Sequence, residues 1–529
     1  MKDWRTAGSV VVALMCLIGG AGRGATAKAS DQSGESSEGA GHWLDRAKKA
    51  MRFERVGDGV LHYRAGEAED HQFESDRMYA PALKAMETQE GWFDVQTGAE
   101  RLSTVVTFPG GGPLPAQVIL TVDGRAWGFA GDKARALPAT SMRERNLNPW
   151  AVVWDWAKAG DARVAGAAMY RDYWRQVLVR GSGASEERLF VDLKTGFPVK
   201  LETEEKHYLW GQQKVEYVYT NWTLAGGVMV AGASFRIADG REENARTTGD
   251  VDFVKRDAAG ALSVSADTVR AAGPVEELPM FLRQIEPKVT KLGEKAYLLS
   301  NPGYNELVTE VGAGANAKVF VFDATQGEVR AREDAAAIAK LFPGAASEPA
   351  RVTVVVTDLA WPHVSGVRWW VAQGATIVAH PAAKVFLQQV VERKWTMAPD
   401  ELEKKRGSVK FKFVSGSKVP LPPISREGGP AKEVAKGERV TELGGGAIQL
   451  TAIDGIGSEV ALIAFLPGDK LLWGSDYVQT VEQPTSYADE VWAAAKREGF
   501  EPDRVVAEHL QVTEWAKIEE LVKRDEEGK

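Results

Sequence analysis

The sequence VTVVVTDLAWPHVSG, residues 352–366, decides the fold of the C-terminal half of the chain. Its first five residues are all β-branched, and such a run is typical of a strand that is buried on both faces of a sheet. An amphipathic helix is predicted before it, over residues 328–341, and another helix after it, over residues 364–373. Because strands and helices alternate here, we expect an α/β layered domain.

The same pattern continues on both sides of this stretch. A long surface excursion, rich in Lys, Glu, Gly and Pro, is expected at residues 399–438. The other strands predicted for this half lie at residues 289–299, 319–323, 375–379, 448–453, 460–466 and 470–473, and the other helices at residues 383–393, 488–498 and 513–524.

The N-terminal half alternates apolar and polar residues over short segments, from about residue 86 to residue 255. Tight-turn signals such as Asp123-Gly124 and Lys194-Thr195-Gly196 separate these segments and favour hairpins. The repeated order of strand, turn and strand predicts one large antiparallel sheet, curved or partly closed.

Two segments of this half resemble the curved-sheet domains of bacterial lipoprotein carriers: LFVDLKTGFPVKLETE (residues 189–204) and YVYTNWTLAGGVMVAGASFRI (residues 217–237). The resemblance implies a half-barrel with an apolar concave face, and hence a small-molecule or apolar ligand. An ordinary antiparallel meander would show the same alternation, so both interpretations stay open at this point.

Length and charge bound the organisation of the chain. With 529 residues it is too long for one hydrophobic core. We expect a β-rich domain over residues 43–265 and an α/β domain over residues 285–525. The formal net charge of -8 leaves no excess of cations to neutralise phosphates, which argues against a general nucleic-acid binder.

The first residues are typical of a cleaved export signal. Lys2 and Arg5 precede a charge-free segment that contains the apolar run VVVALMCLI at residues 10–18, and ATA at residues 25–27 offers a cleavage site between small residues. We therefore expect a signal peptide over residues 1–27. A membrane anchor is the alternative, although the apolar run is shorter than the roughly 20 residues that a bilayer requires.

The mature chain would begin with a polar, glycine-rich segment, and we expect a disordered tether over residues 28–42. Cys16 is the single cysteine of the chain and lies within the predicted signal peptide. A mature protein in the periplasm or outside the cell would thus have no thiolate ligand or cysteine nucleophile. No later segment is apolar enough to predict a transmembrane span.

Four segments after residue 290 carry a resemblance to a known superfamily. They are YNELV with VFVFDA (residues 304–308 and 319–324), VVVTDLAWPHVSG with GATIVAHP (residues 354–366 and 374–381), FLPGDKLLWGSD (residues 465–476), and VVAEH (residues 505–509). In order and spacing they resemble the metallo-β-lactamase superfamily over roughly residues 290–520. The resemblance implies an αββα sandwich and a two-metal hydrolytic site.

Most of the metal ligands that this resemblance implies are replaced. Asp358 and Ala360 stand at the first two histidines of the metal-binding loop, Pro362 at its aspartate, and Gly457 at a histidine in the middle of the domain. Alanine and glycine have no side-chain ligand atom. A dinuclear site of the family type is therefore not expected.

Three ligand positions are kept, namely His363, Asp476 and His509. A set of His, Asp and His can hold one zinc or another divalent metal, with water as the fourth ligand. Asp358, the predicted catalytic residue, would then be a substitute ligand or a general base. The alternative is a polar cleft that binds no metal.

Two functions follow from this pattern. The first is an exported binding or scaffold protein, a pseudoenzyme with an apolar ligand or an envelope protein as its partner. The alternative is a mononuclear metal-dependent hydrolase that uses His363, Asp476 and His509. The loss of four ligand positions favours the first function over chemistry of the family type.

The other titratable residues favour structural roles. His380 follows a predicted strand in the sequence AHP and is expected to pack rather than to bind metal. Asp454 and Glu459 flank the missing histidine, where solvated loop carboxylates are the commoner case. The glycine-rich PGGGP at residues 109–113 has no Lys-Ser/Thr pair and no following helix, which excludes a phosphate-binding loop.

Overall fold

The structure, a computed structural model, describes residues 39–70, 84–107, 113–130, 133–137, 139–260, 262–271, 286–301, 303–346, 348, 351–407, 409–414, 440–453, 460–482 and 487–528. The predicted signal peptide lies outside these residues, as do most of the predicted tether, residues 108–112, and Asp454, Gly457 and Glu459. The described residues belong to one compact unit, Glu38–Lys529.

Thirteen of the described strands form one antiparallel sheet, which we call the large sheet. They are β1 (Val60–Asp70), β2 (Lys84–Phe93), β3 (Glu100–Thr107), β4 (Gln117–Val122), β5 (Arg125–Ala130), β6 (Lys133–Leu137), β7 (Arg163–Tyr170), β8 (Tyr173–Arg180), β9 (Glu187–Asp192), β10 (Pro198–His207), β11 (Gly211–Ala225), β12 (Val228–Ala238) and β13 (Arg241–Val254). The order in the sheet is β6-β5-β4-β3-β2-β1-β13-β12-β11-β10-β9-β8-β7. The large antiparallel sheet predicted for the N-terminal half is thus present.

The predicted hairpin turn at Asp123-Gly124 joins β4 to β5. Both residues have positive φ angles, 48° and 70°, as a two-residue hairpin of this kind requires. Every neighbour in the large sheet is consecutive in the chain except β1 and β13, which pair with each other. The chain therefore runs outward from β1 to β6 and returns from β7 to β13.

Two helices, α1 (Ala40–Met51) and α2 (Pro149–Ala159), pack on apolar side chains of the large sheet. Trp43 of α1 and Trp156 of α2 share a core with Leu189 and Val215. Asn148 caps α2, because its side chain accepts a hydrogen bond from Trp150 N, a role that asparagine commonly has at a helix start.

Two smaller sheets form the C-terminal half. The first contains, in order, β14 (Lys288–Lys291), β15 (Ala296–Asn301), β16 (Tyr304–Val311), β17 (Lys318–Phe322), β18 (Val352–Val355), β19 (Thr376–Ala379) and β20 (Lys410–Phe413). The second contains, in order, β21 (Thr441–Leu443), β22 (Ile448–Ala452), β23 (Leu462–Leu466), β24 (Leu471–Trp473), β25 (Arg504–Val506) and β26 (Thr513–Glu514). Pairing is parallel from β17 to β20 and between β24 and β25, and antiparallel elsewhere.

The remaining described helices are α3 (Ala266–Ala271), α4 (Gly327–Leu341), α5 (Pro343–Ala346), α6 (Trp361–Val364), α7 (Val367–Ala372), α8 (Lys384–Glu392), α9 (Glu401–Lys404), α10 (Ala488–Glu498) and α11 (Trp515–Gly528). Alternate residues of β17 point to different cores. Phe320 packs with Leu450 of the facing sheet, whereas Val321 packs with Ile338 of α4 and Phe386 of α8. The other face of the second sheet packs on α10 and α11. Strands buried on both faces explain the β-branched run at residues 352–356.

Several elements differ from the sequence expectation. The helix predicted over residues 364–373 is two short helices, α6 and α7, and the helix predicted from residue 513 begins at Trp515, after β26. Helix α1 begins at Ala40, within the segment 28–42 that is expected to be a disordered tether. The strand predicted over residues 289–299 is two strands, β14 and β15, because residues 292–295 turn the chain back and let Lys291 pair with Tyr297. The excursion expected at residues 399–438 contains α9 and the edge strand β20 in its described part.

Candidate metal centre

The candidate site lies where strands of both smaller sheets end. His363 lies in α6, shortly after β18; Asp476 follows β24; Glu508 and His509 follow β25. Carboxyl ends of parallel neighbours lie at the same edge of a sheet, and β24 and β25 are parallel neighbours. This topology brings together residues that are more than a hundred positions apart in sequence.

One potential ligand atom from each of His363, Asp476, Glu508 and His509 lies within 4.8 Å of those of the other three. His363 Nδ1 is 2.7 Å from Glu508 Oε2, and His509 Nε2 is 3.1 Å from Asp476 Oδ1. His363, Asp476 and Glu508 are buried, and the His509 side chain is 28% exposed. The structure thus brings the three predicted ligand residues together and adds Glu508. We call these four residues the metal cluster.

Each histidine of the metal cluster has a partner outside the cluster at Nδ1, and His363 Nδ1 also faces Glu508 of the cluster. Asp358 Oδ2 lies 3.0 Å from His363 Nδ1. His509 Nδ1 lies 2.5 Å from the carbonyl oxygen of Gly303, and because a carbonyl can only accept, Nδ1 carries the proton and Nε2 is left for a ligand. Metal-binding histidines commonly donate their other N–H to a carboxylate or carbonyl in this way.

Asp358 is predicted to be a ligand or a general base. In the structure it is buried, and its two oxygens are engaged by Ala360 N at 2.6 Å and by His363 Nδ1. This position is suited to orienting His363. The predicted ligand or base role of Asp358 remains a prediction.

The metal cluster carries unbalanced charge. Burial lowers the pKa of His363, but Asp358, Glu508 and Asp476 outweigh burial and raise it well above its ordinary value. Burial likewise raises the pKa of Glu508 well above the usual range, with nearby His363 acting in the opposite direction. Protons thus occupy the cluster where a cation would otherwise compensate the carboxylates.

Two carboxylates test whether the cluster fits a metal ion. Asp476 Oδ2 and both oxygens of Glu508 are buried and receive no well-aligned hydrogen bond from the described residues, although His363 Nδ1 lies 2.7 Å from Glu508 Oε2. Buried polar atoms normally have partners, and exceptions point to an absent ion or a functional role. Carboxylate and imidazole together suit a divalent cation such as zinc. The residues present therefore fit one divalent metal ion.

Another buried carboxylate, Asp323, lies directly after β17. It accepts hydrogen bonds from Thr357 N at 2.6 Å, from Thr357 Oγ1, and from Trp473 Nε1 at 3.2 Å. Burial, followed by the charge of Asp358, raises the pKa of Asp323 to about 6. This group ties the ends of β17, β18 and β24 together.

Tyr304 forms one wall of the site. Its ring centroid lies 5.6 Å from that of His363 and 4.9 Å from that of His509. Burial raises the pKa of the Tyr304 phenol, and His363 lowers it. The phenol therefore keeps its proton at neutral pH beside both imidazoles.

Sequence reasoning missed Glu508 for a physical reason. Adjacent residues of an extended chain point to opposite faces, so the residue before His509 is not expected at the same site. After Val506, however, the chain leaves the strand and turns, with Ala507 N bonded to Leu510 O. The signal that could have identified Glu508 was its position next to His509, a predicted ligand, directly after a strand.

The replaced ligand positions are also visible in part. Ala360 is buried beside Asp358 and offers no ligand atom. Pro362 lies within α6, where its carbonyl oxygen accepts a hydrogen bond from Gln326 N at 2.7 Å. Gly457 lies outside the described residues.

No family model and no curated protein matches this chain. Among solved structures, the DIM-1 metallo-β-lactamase exposed to ceftazidime is 16% identical, with 47% of this chain and 100% of that chain covered and a TM-score of 0.32. An NDM/FIM-1-like metallo-β-lactamase from Erythrobacter litoralis in its mono-zinc form is 13% identical, with 46% and 99% covered and a TM-score of 0.30. A LolA superfamily protein from Nitrosomonas europaea is 14% identical, with 41% and 94% covered and a TM-score of 0.29. At these values the likenesses assign neither family nor activity.

None of the helices that the structure describes combines the length and the apolar composition needed to cross a bilayer.

Proposed function

We propose that this chain binds one divalent cation through the metal cluster and is a mononuclear metal-dependent hydrolase. The observation that carries the proposal is the convergence of His363, Asp476, Glu508 and His509 around buried carboxylate oxygens that receive no well-aligned hydrogen bond. A surplus of buried carboxylate is unfavourable unless a cation compensates it. One bound divalent cation would supply that charge.

The fold proposal follows from the same half of the chain. We propose that the two smaller sheets, with helices packed on their outer faces, are the αββα sandwich of a metallo-β-lactamase-like domain over residues 285–525, which packs against a β-rich domain over residues 43–265. The support is the packing of Phe320 against the facing sheet and of Val321 against the helices. The four sequence segments that resemble the superfamily lie in this half.

The residues of the site divide the chemistry between them. A bound divalent cation supplies an activated water for hydrolysis near neutral pH. Asp358 and the Gly303 carbonyl orient His363 and His509, each through its Nδ1. Glu508 lies on the buried side and His509 on the exposed side of the cluster, so a substrate would approach past His509. The protonated Tyr304 phenol offers a hydrogen bond to an oxygen of that substrate.

Metal content tests this proposal. The purified protein would be incubated with zinc, freed of excess metal and measured by inductively coupled plasma mass spectrometry. The double variant His363→Ala, His509→Ala is compared with a matched control, His42→Ala, His62→Ala, which removes two histidines elsewhere. About one metal ion per chain in the wild type and control, lost in the site variant, supports the proposal. No metal in any of the three proteins overturns it.

A second candidate function is a binding or scaffold protein without hydrolytic activity. Ala360 and Pro362, which stand at superfamily ligand positions, favour it because they offer no ligand atom. Metal-loaded protein that hydrolyses no member of a panel of ester, amide and β-lactam substrates would support this candidate. The discriminating measurement is turnover by the metal-loaded wild type relative to the His363→Ala, His509→Ala variant.

Export, an envelope partner and an apolar ligand remain proposals. Export to the periplasm or outside the cell rests on the sequence of residues 1–27. An apolar ligand would bind the large sheet, where α1 and α2 already pack against apolar side chains such as Leu189 and Val228. Such a ligand would have to displace part of these helices or bind beyond them.

A further inference from the structure

The turn between β10 and β11 leaves the large sheet and enters the core of the C-terminal half. We call residues 207–211 the docking turn. Leu209 and Trp210 are buried in the same apolar cluster as Phe386 of α8, and the rings of Trp210 and Phe386 meet edge to face at 5.5 Å. Arg393 Nε donates to Trp210 O at 2.9 Å. The docking turn of the large sheet is thus part of the apolar core of the C-terminal half.

The conformation of the docking turn is fixed by its own residues. His207 Nδ1 accepts hydrogen bonds from the backbone N–H groups of Leu209 and Trp210, each at 3.1 Å. Gly211 has a φ of 68°, and a Cβ atom there would lie 2.3 Å from the Trp395 ring. Glycine is therefore required, and the turn is held in one position against the C-terminal half.

The docking turn contacts the helix that carries a metal-cluster residue. Trp361, the first residue of α6, meets the rings of His207 at 4.9 Å and of Trp210 at 6.1 Å, both edge to face. His363 lies two residues later in the same helix. Elsewhere in α6, the His363 carbonyl oxygen accepts a hydrogen bond from Ala324 N at 3.0 Å. Helix α6 is thus held by contacts from two different sheets.

Tyr208 is a further aromatic residue of the docking turn. Its ring stacks on His207 at 4.6 Å. Burial, followed by the neighbouring Tyr304, raises the pKa of Tyr208, and His363 lowers it. The Tyr208 phenol therefore keeps its proton at neutral pH.

We infer that the docking turn is a positioning element of the metal cluster, which acts on His363 through the contacts of His207 and Trp210 with Trp361. The inference rests on the proposed function insofar as His363 binds a cation. That the docking turn holds α6 in place does not depend on whether His363 binds a cation. Groups that orient a metal ligand commonly change metal affinity 10–100-fold when they are removed.

The test uses the full chain and the variant His207→Ala, which removes both the acceptor of the turn and the ring against Trp361. We expect its affinity for Co²⁺, followed by the visible absorption of the bound ion, to fall about tenfold with an altered spectrum. In the metal-free protein, hydrogen exchange of the amides at residues 361–366 should become faster. His207→Asn, which retains an acceptor for the turn, should give intermediate values for both measurements.

His62→Ala is the matched control, because His62 also lies in the large sheet and stacks on a tryptophan, Trp92, at 5.3 Å. This variant should leave the exchange of residues 361–366 and the Co²⁺ affinity unchanged. Unchanged exchange in His207→Ala would overturn the inference, whether or not metal binds. Faster exchange with unaltered Co²⁺ affinity and spectrum would overturn the positioning of His363. A wild type that binds no Co²⁺ would refute the proposed function alone.

Discussion

Two buried glutamates, one in the large sheet and one in the metal cluster, are treated differently by this protein. Glu67 Oε2 accepts hydrogen bonds from Arg246 Nε at 2.9 Å and Gln89 Nε2 at 2.9 Å, and its Oε1 accepts one from Asn244 Nδ2 at 2.7 Å. Glu508 Oε2 faces His363 Nδ1 at 2.7 Å, but no well-aligned donor in the described part of the chain reaches either oxygen of Glu508. Both side chains are almost completely buried, so burial alone does not explain the difference.

A further buried glutamate of the large sheet shows the same completeness as Glu67. Glu100 accepts from Tyr63 at 2.9 Å, from Asn148 at 2.7 Å and from Arg145 at 3.2 Å. Complete pairing is what a structural role requires, since an unmatched buried charge destabilises the fold. In the metal cluster, by contrast, Asp476 Oδ2 and both oxygens of Glu508 receive no well-aligned hydrogen bond, although His363 lies beside Glu508, and this incomplete pairing separates a candidate site from a structural network more clearly than burial does.

Breaking the hydrogen-bonded network around Glu67 in the large sheet should have the largest effect on stability. Arg246→Met removes the cation beside Glu67 and leaves a buried carboxylate without its charged partner. We expect a loss of about 3–5 kcal/mol in the free energy of unfolding, measured by urea denaturation. Arg188→Met, which removes a partly exposed partner of Glu202, should change the same quantity by less than about 1 kcal/mol. Equal losses in the two variants would contradict a structural role specific to the buried network.

Asp323 is an intermediate case between Glu67 and Glu508. It accepts hydrogen bonds from neutral donors, Thr357 and Trp473, but among the described residues it has no cation beside it. Its pKa of about 6 in the folded protein lies above the ordinary value of 3.8. Protonation therefore favours the folded state, and the stabilisation is complete below pH 3.8 and lost as the pH rises through about 6. The rise in the pKa of Asp323 corresponds to about 3 kcal/mol in the free energy of unfolding.

This pH dependence is measured on metal-free protein as the free energy of unfolding between pH 4 and pH 7. Asp323→Asn should give a flatter profile than the wild type over that window, irrespective of its absolute stability. Asp45→Asn, a change at an exposed carboxylate in α1, should retain the wild-type slope. If the free energy of unfolding depended on pH equally in the wild type and in Asp323→Asn, the dependence would have to come from other titratable groups.

The substitution Glu508→Gln in the metal cluster should change the stability of the protein in the opposite direction to the matched substitution Glu100→Gln in the large sheet. Removing an unmatched carboxylate should stabilise the metal-free protein by about 1 kcal/mol, while zinc affinity falls about 10–100-fold because a ligand is lost. Glu100→Gln, the matched change in the large sheet, should lower stability and leave zinc affinity unaltered. Thermal unfolding without metal and competition titration with zinc measure the two quantities. Destabilisation of metal-free Glu508→Gln would show that Glu508 is a paired structural residue.

The sequence predicted those parts of the protein that depend on local pattern. Alternation and turn residues such as Asp123-Gly124 predicted the antiparallel large sheet, and the β-branched run at residues 352–356 predicted a buried strand. Helix α2 was not predicted, although Asn148-Pro149 at its start and Gly160 after its end are helix-boundary signals. Its β-branched and aromatic residues obscured a helical pattern in an all-β context.

The candidate site was predicted only where side chains follow strand ends in a recognisable order. His363, Asp476 and His509 meet this condition, and the structure places them together. The Gly303 carbonyl that orients His509 has no side chain to leave a signal in the sequence. The docking turn was also missed, because its contact with Trp361 joins residues about 150 positions apart and depends on how the sheets pack.

The smallest expected effect concerns His380, a histidine of the same half outside the metal cluster. Its Nδ1 accepts a hydrogen bond from Ala382 N at 3.2 Å, and burial lowers its pKa to about 4, so the ring is neutral at pH 7. In His380→Asn the amide oxygen can accept the same hydrogen bond, and we expect a loss of about 1 kcal/mol or less with zinc affinity unchanged within twofold. His363→Asn should instead lower zinc affinity at least tenfold, because it removes an imidazole ligand. Competition titration of both variants compares a histidine that caps a turn with one that serves the metal cluster, and a tenfold loss in His380→Asn would extend the cluster to His380.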